Sequence, residues 1–322
     1  MILETAYKDQ KAVAVENDLL RFVFLPETGA SLASVFWKRE NRELLVQRPE
    51  PRYRRVPFGG SYVDAECSGM DDMFPTIDAC HYENAPWEGV KLTDHGEIWN
   101  LPFQTRLLPD SVSFSASGVR LPYAFSKRAE FIDAHTLRIT YRAENPAPFD
   151  MDFLWAAHFM LRAQPGVSLM LPGNCRTAQA VFTNSGSIGA YAQEFPYPVF
   201  TDAGGKRRDM SRMGEWDGSC EKFYLRDRLQ EGYCGVAYPD GLRFELSFPE
   251  DKVPYLGVLF NQGGFREIYN LFVEPCTAPF DRPDVARLMD KHSLIPARSS
   301  YDWHLDIRVS DREDKEVTAL EP

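Results

Sequence analysis

The chain has 322 residues, of which 44% are hydrophobic and 13% aromatic, and its 47 acidic and 36 basic side chains give a net charge of −11. This composition can build one large core or two ordinary ones, and it excludes a chain that is disordered throughout. The negative charge disfavours a nucleic-acid backbone or an anionic membrane as the main partner.

Neither a membrane span nor a secretory leader is indicated. No apolar run approaches the roughly 20 residues that a membrane-spanning helix needs, and residues 1–18 carry charges where a signal peptide needs its apolar segment. We therefore expect a cytoplasmic protein. The cysteines are scattered without a C-x-x-C pair, which favours free thiols over a disulfide or zinc framework. They are Cys67, Cys80, Cys175, Cys220, Cys234 and Cys276.

Alternation of apolar and polar residues, the period of a half-buried strand, is the repeating signal along the chain. It occurs at 20–24, 35–37, 112–116, 123–131, 137–141, 242–248, 269–273 and 303–309. One helix is predicted at 281–291, with Asp281 as a cap and Pro283 in the first turn. Many short strands with few helices predict a mainly β chain, folded as a large antiparallel β-sandwich. We expect one domain over 1–310 and a charged tail over 311–322, although two internal sandwiches would fit the same pattern.

His158 interrupts an apolar and aromatic run, 153–161, that contains no charge. Such an imidazole is either a core residue with its nitrogens satisfied or a proton donor in a dry pocket. Taken alone, the core interpretation is favoured, and the second one needs a partner from elsewhere in the chain.

Two further segments depart from the alternation of apolar and polar residues. Residues 87–99 combine an Asp-His-Gly turn at His95 with Trp87 and Trp99, whose faces either stack on sugar rings or simply pack in the core. Glu274 lies at the end of an apolar strand, before a proline. If it points inward, burial raises its pKa and makes it a usable base near neutrality. If it turns outward, it forms an ordinary salt bridge.

Two charged clusters are less specific. The acidic pair Asp71 and Asp72 would bind sugar hydroxyls or a cation, or else cap a turn, and the turn is the simpler role. Arg52, Arg54 and Arg55 would hold a phosphate, but most such runs are solvated faces. The remaining histidines show no metal-ligand spacing, so no metal is expected.

Four segments in order resemble the aldose 1-epimerase (galactose mutarotase) superfamily. They are 25–32 with 41–45, the first histidine motif at 94–99, the second histidine motif at 155–159, and 261–265 leading to the glutamate motif at 273–277. The strand at 303–305 is also similar. The resemblance covers nearly the whole chain. It implies a supersandwich fold with few short helices, no cofactor, and a sugar bound in an open cleft.

The resemblance also implies roles for individual residues. His158 resembles the family's general acid, Glu274 its general base, and His95 a histidine that orients the substrate, while Asp72 would be the sugar-binding aspartate. The family's substrate-binding arginine has no counterpart among residues 67–72. The implied reaction interconverts the α and β anomers of an aldose, with acid and base on opposite sides of one hemiacetal.

Two alternatives accompany this hypothesis. One is a sugar-phosphate 1-epimerase that uses Arg52, Arg54 and Arg55 as its phosphate clamp. The other is a carbohydrate-binding protein that has lost turnover, which a wide separation of His158 and Glu274 would favour. In each case the expected partner is a small sugar, with a homodimer as a further possibility.

Overall fold

A computed structural model of the chain describes residues 1–311 and 314. The first thirteen strands are β1 Ile2–Tyr7, β2 Gln10–Glu16, β3 Leu20–Leu25, β4 Ser31–Trp37, β5 Arg42–Glu43, β6 Met70–Met73, β7 Cys80–His81, β8 Lys91–Leu92, β9 Gln104–Leu107, β10 Ser111–Ser117, β11 Ala124–Phe131, β12 Thr136–Asn145 and β13 Met151–Phe153. The next thirteen are β14 Ala156–Arg162, β15 Ser168–Met170, β16 Thr177–Thr183, β17 Glu194–Pro196, β18 Val199–Thr201, β19 Arg207–Asp209, β20 Cys220–Leu225, β21 Tyr233–Ala237, β22 Arg243–Ser247, β23 Tyr255–Gln262, β24 Tyr269–Cys276, β25 Ser293–Ile295 and β26 Ser299–Ser310. The α-helix among the described residues, α1, is Pro283–Leu288, and two short 3₁₀ helices are Tyr62–Asp64 and Ile98–Asn100.

Two large antiparallel sheets contain most of the described strands, and β13 with β25, β18 with β19, and β7 with β8 form two-stranded sheets. The larger has twelve strands in the order β1-β2-β3-β4-β6-β14-β24-β23-β20-β16-β17, with β5 paired to β4. The smaller has eight strands in the order β15-β21-β22-β26-β12-β11-β10-β9. The predicted antiparallel β-sandwich is confirmed, and the predicted alternating stretches all fall on strands.

The main core lies between the two sheets. Aromatic side chains cross the interface: Phe24 of β3 meets Phe114 of β10 at 5.4 Å between ring centroids, and Phe159 of β14 meets Phe244 of β22 at 5.4 Å. Large buried aromatic areas of this kind contribute most of the hydrophobic stabilisation of a sandwich. Successive residues of β14 alternate between this core and the outward face of the larger sheet.

The outward face of the larger sheet carries a second buried cluster. The segment with the Tyr62–Asp64 and Ile98–Asn100 helices covers this face near β6 and β14. Members of the cluster include Tyr62, Met73, Trp99, Ala156 and Phe272. Polar groups on this face are thus shielded by the connecting segments, whereas those on the opposite face lie inside the sandwich.

The predicted helix is shorter than expected. It begins at Pro283, and Arg282 rather than Asp281 occupies the position before it, with no side-chain cap. The cap prediction for Asp281 is wrong because its carboxylate is bound by Lys222 and Tyr224 instead. The predicted tail, 311–322, lies outside the described residues except for positions 311 and 314. Among the described residues, no helix has the length and apolarity needed to span a bilayer.

Candidate functional site

His158 and Glu274 lie side by side on the outward face of the larger sheet. The pairing of β14 with β24 brings them together although they are far apart in sequence. Nε2 of His158 is 3.3 Å from Oε1 of Glu274. Glu274 is 0% exposed and His158 is 5% exposed. This short separation is what a cooperating acid and base require.

Glu274 keeps acceptor capacity for a ligand. Nζ of Lys222 lies 3.1 Å from Oε2, yet neither carboxylate oxygen accepts a well-aligned hydrogen bond from the described residues. Gly257, the cross-strand partner on β23, leaves room for the carboxylate, since a Cβ there would lie 3.1 Å from Oε2. Buried carboxylates are normally fully hydrogen-bonded, so these two oxygens suit a ligand hydroxyl.

Lys222 links Glu274 to a second buried carboxylate. Its Nζ lies 2.9 Å from Oδ1 of Asp281, and the hydroxyl of Tyr224 donates to the same oxygen. Burial alone would lower the pKa of Lys222, but the Asp281 and Glu274 carboxylates outweigh it and raise the pKa. Lys222 is therefore a permanent cation that partly compensates two anions.

Tyr62 connects the imidazole of His158 to a carboxylate. Its hydroxyl donates to Oδ2 of Asp71 at 2.7 Å and lies 3.4 Å from Nδ1 of His158. Ser31 donates to the other oxygen of Asp71. Because the single hydroxyl proton goes to Asp71, the contact with His158 is one in which Nδ1–H donates to the Tyr62 oxygen. Nε2 is therefore the nitrogen of His158 that faces Glu274.

His95 is held over the same tyrosine. The His95 and Tyr62 rings stack at 4.0 Å, and the His95 ring lies 5.6 Å from that of His158. Nδ1 of His95 is 2.8 Å from Oδ1 of Asp94, whose other oxygen accepts the backbone N–H of Tyr62 at 2.7 Å. Burial would raise the pKa of Asp94, but the hydrogen bond and charge of His95 outweigh it and lower the pKa.

The turn that presents His95 depends on its backbone. His95 has φ 58° and Gly96 φ 76°, and a Cβ on Gly96 would fall 2.2 Å from the carbonyl oxygen of Phe74. Only glycine therefore fits at 96. Asp281 also has a positive φ, 61°. Non-glycine residues in this region persist where the surroundings impose them, often at functional sites.

Burial moves the pKa values of His158 and Glu274 towards each other. It lowers the pKa of His158 well below its usual value, and nearby His95 and Lys222 add to that shift. It raises the pKa of Glu274, while the Lys222 ammonium opposes the rise. Because Nε2 of His158 and Oε1 of Glu274 are 3.3 Å apart, the two groups titrate as a pair.

Asp72 is not brought to this site. It pairs with Ala157, so it faces the interior of the sandwich, where Nζ of Lys127 lies 2.7 Å from Oδ2 and Trp155 donates to Oδ1 at 2.9 Å. Its neighbour Asp71 is the residue on the site face. Both belong to β6, so the turn interpretation of this pair is wrong.

The remaining predicted groups lie around the site or away from it. Trp99 is buried against Tyr62 and donates to the carbonyl of Asp94 at 3.1 Å, which is a packing role. Trp87 packs on Tyr82 at 5.8 Å. The arginine run is largely exposed, although two of its members line a cavity of about 10 Å³ beside Tyr62, which has room for about one water.

Sequence reasoning missed Lys222, Asp281, Tyr62 and Asp71 as members of the site. The available signal for Lys222 was a charged residue within the strand sequence Cys-Glu-Lys-Phe-Tyr-Leu, all of which is buried. For Tyr62 no periodicity was available, because it comes from a 3₁₀ turn within a long connection.

The same fold occurs in known structures. A Synechocystis protein is 14% identical, with a TM-score of 0.70 over 96% of this chain and 100% of that one. A proposed aldose 1-epimerase from Klebsiella pneumoniae is 12% identical, with a TM-score of 0.69 over 99% and 86%. A galactose mutarotase-like protein from Lactobacillus casei is 15% identical, with a TM-score of 0.64 over 93% and 100%. No protein-family model and no curated protein matches the sequence. The superfamily resemblance is thus confirmed as a shared fold.

Proposed function

We propose, from a galactose mutarotase-like fold that carries a buried histidine–glutamate pair, that this protein is an isomerase of the aldose 1-epimerase type. The observation that carries the proposal is the 3.3 Å separation between Nε2 of His158 and Oε1 of Glu274. A wide separation would have favoured a protein that only binds sugar. The low identities to the structural neighbours support the fold, so the activity rests on the site.

The proposed reaction opens and recloses a hemiacetal. Glu274 takes the proton from the C1 hydroxyl, the bond between C1 and the ring oxygen breaks, and His158 gives a proton to that oxygen. The product is an open chain with an aldehyde at C1 and a hydroxyl group formed from the former ring oxygen. Rotation about the C1–C2 bond presents the other face of the aldehyde, and closure returns both protons. Each proton transfer contributes roughly 10²–10⁴-fold to the rate.

Geometry adjusts one expectation from the sequence. Because His158 and Glu274 project from neighbouring strands of one face, both would meet the hemiacetal from the same side. O1 and the ring oxygen share one carbon, so two groups 3.3 Å apart can contact both. The pair needs one mobile proton, and the contact between Nε2 and Oε1 lets the two groups share it.

The surrounding residues support this chemistry without touching the reacting atoms in the proposed scheme. Tyr62 fixes the tautomer of His158, and Lys222 favours the carboxylate form of Glu274. His95, stacked on Tyr62, offers its Nε2 to a sugar hydroxyl. Asp72 has no part in substrate binding in this scheme. No observation favours a phosphate clamp, because the arginine run is exposed and the cavity that Arg54 and Arg55 line has room for only about one water.

The test is anomer exchange measured by NMR on a panel of free and phosphorylated aldoses. We expect the wild-type protein to accelerate exchange for at least one free aldose. Saturable binding of a sugar without any acceleration would show that the protein binds sugars and is not an epimerase. Acceleration confined to phosphorylated sugars, and lost when Arg54 and Arg55 are changed to alanine, would show that the protein is a sugar-phosphate epimerase.

A further inference from the structure

The hairpin of β16 and β17 carries two half-exposed aromatic side chains beside the proposed site. Phe182 of β16 is 51% exposed, and Tyr191 in the following loop is 54% exposed. Aromatic rings of this size normally bury most of their surface. Exposed aromatics next to a buried polar site are candidates for ligand contact.

Phe182 lies on the same sheet face as the site. It is the cross-strand partner of Lys222, and a register shift between Ala180 and Phe182 separates it from the core-facing part of β16. Lys222 in turn contacts Glu274. The sheet order β24-β23-β20-β16 therefore leads from the proposed base to Phe182.

Tyr191 lies near Asp281, the carboxylate that pairs with Lys222. The backbone N–H of Ala192 donates to the carbonyl of Ala180 at 2.8 Å, and the N–H of Ala180 donates to the carbonyl of Gln193 at 2.9 Å, so the loop folds back and Tyr191 lies next to β16. Its ring is 6.1 Å from the ring of Phe280, the residue before Asp281. Burial raises the pKa of the Tyr191 hydroxyl, and the Asp281 and Asp78 charges add to the rise.

The span from Glu274 to Phe182 exceeds one sugar ring. Three strand spacings separate β24 from β16, which is roughly 14 Å of backbone. A single pyranose with C1 on Glu274 would contact Lys222 and Asp281, and it would leave Phe182 uncovered. A second ring joined to the first would lie over the exposed aromatics.

We propose that Phe182 and Tyr191 form a second sugar subsite, so that the substrate is the reducing end of a disaccharide or longer oligosaccharide. This inference rests on the proposed epimerase site. The local charges disfavour an anionic ligand such as a phosphorylated sugar, because the carboxylates of Glu274, Asp281 and Asp78 outnumber the Lys222 ammonium. Sugar C–H faces pack on aromatic rings, and the ion pair between the two subsites bonds hydroxyls.

The experiment compares anomer exchange of glucose with maltose, and of galactose with lactose, in matched variants. Phe182→Ala and Tyr191→Ala should each lower kcat/KM for the disaccharide by roughly 3–10-fold and leave the monosaccharide value unchanged. Phe149→Ala is the control, because Phe149 is 49% exposed and packs on Trp87 in another loop. This control should change neither value.

Equal effects on both sugars, or no effect on either, would overturn the subsite. Calorimetric binding of maltose and lactose to the same variants separates this outcome from failure of the proposed function. A wild-type protein that catalyses no exchange but binds the disaccharide more tightly than Phe182→Ala does would retain the subsite and lose the epimerase. A protein that catalyses exchange with no disaccharide-specific loss would retain the epimerase and lose the subsite.

Discussion

The hydroxyl of Tyr62 contacts Nδ1 of His158, so that Nε2 is the nitrogen that faces Glu274 in the proposed site. Tyr62→Phe keeps the ring that stacks on His95 and removes the acceptor for Nδ1–H. We expect kcat for anomer exchange to fall about 3–10-fold, the value of one lost hydrogen bond, with KM little changed. Steady-state polarimetry checks this split, and the ¹⁵N shifts of His158 should report a mixed tautomer in the variant.

Tyr123→Phe is a matched control, since Tyr123 also donates its buried hydroxyl to a carboxylate, that of Glu97, at 3.0 Å. It lies away from His158 and should cost stability without changing kcat. An unchanged kcat in Tyr62→Phe would remove the positioning role from our account.

Lys222 sets the pH range in which the proposed pair holds one proton. Activity should be bell-shaped in pH, because the pair is inactive with two protons and with none. Lys222 lowers the pKa of both His158 and Glu274. Lys222→Met therefore removes a charge that disfavours protonation, and both limbs of the profile should move to higher pH by about one unit or more.

Lys127→Met separates this effect from simple destabilisation. Lys127 is also a buried cation, paired with Asp72 inside the sandwich. Each lysine variant leaves a buried carboxylate without its cation. Its free energy of unfolding should therefore fall by about 3–5 kcal/mol. Only Lys222→Met should shift the pH profile, and a shift of equal size in both variants would contradict the assignment.

A polar group that interrupts an apolar run can be recognised from the sequence, and the structure places two such groups, His158 and Glu274, 3.3 Å apart, while their catalytic roles stay predictions. His158 and Glu274 were conspicuous for that reason, and the turn at His95 follows from its glycine. Lys222 and Tyr62 were not predictable, because the partners that make them part of the site come from strands and loops far away in sequence.

At the scale of the element, strand β6 places its two neighbouring aspartates on opposite faces of the larger sheet. Asp71 faces the site through Tyr62, whereas Asp72 faces the core and bonds Lys127. Asp72→Asn should lower unfolding free energy by about 3–5 kcal/mol, because it weakens a buried ion pair, and should leave KM for the sugar unchanged. Chemical denaturation and steady-state kinetics check both parts.

Asp71→Asn provides the opposite pattern. The asparagine keeps an acceptor for Tyr62 but loses the charge. We therefore expect kcat for anomer exchange to fall by a larger fraction than the free energy of unfolding does. A raised KM in Asp72→Asn would return that residue to substrate binding. Two adjacent residues in a strand face opposite sides of the sheet. Which of them faces the core depends on the register of strand pairing, and the local sequence does not reveal that register.

At the scale of the whole molecule, the sandwich explains why the fold could be predicted from the sequence and the site only in part. Alternation with period two marks strands locally, so the mainly β architecture follows from the pattern. The order of strands in the larger sheet depends on pairings between distant segments, such as β6 with β14 and β14 with β24. These pairings place the candidate acid and base together, and no local pattern encodes them.

The central claim is that His158 and Glu274 act as one acid–base unit on a sugar hemiacetal. The most direct measurement is a double-mutant cycle on anomer exchange, with His158→Asn, Glu274→Gln and the double variant compared with wild type. The account predicts that each single change lowers the rate at least about 10²-fold and that the double change lowers it little further. Wild-type rates in either single variant, or losses that multiply in the double variant, would contradict it.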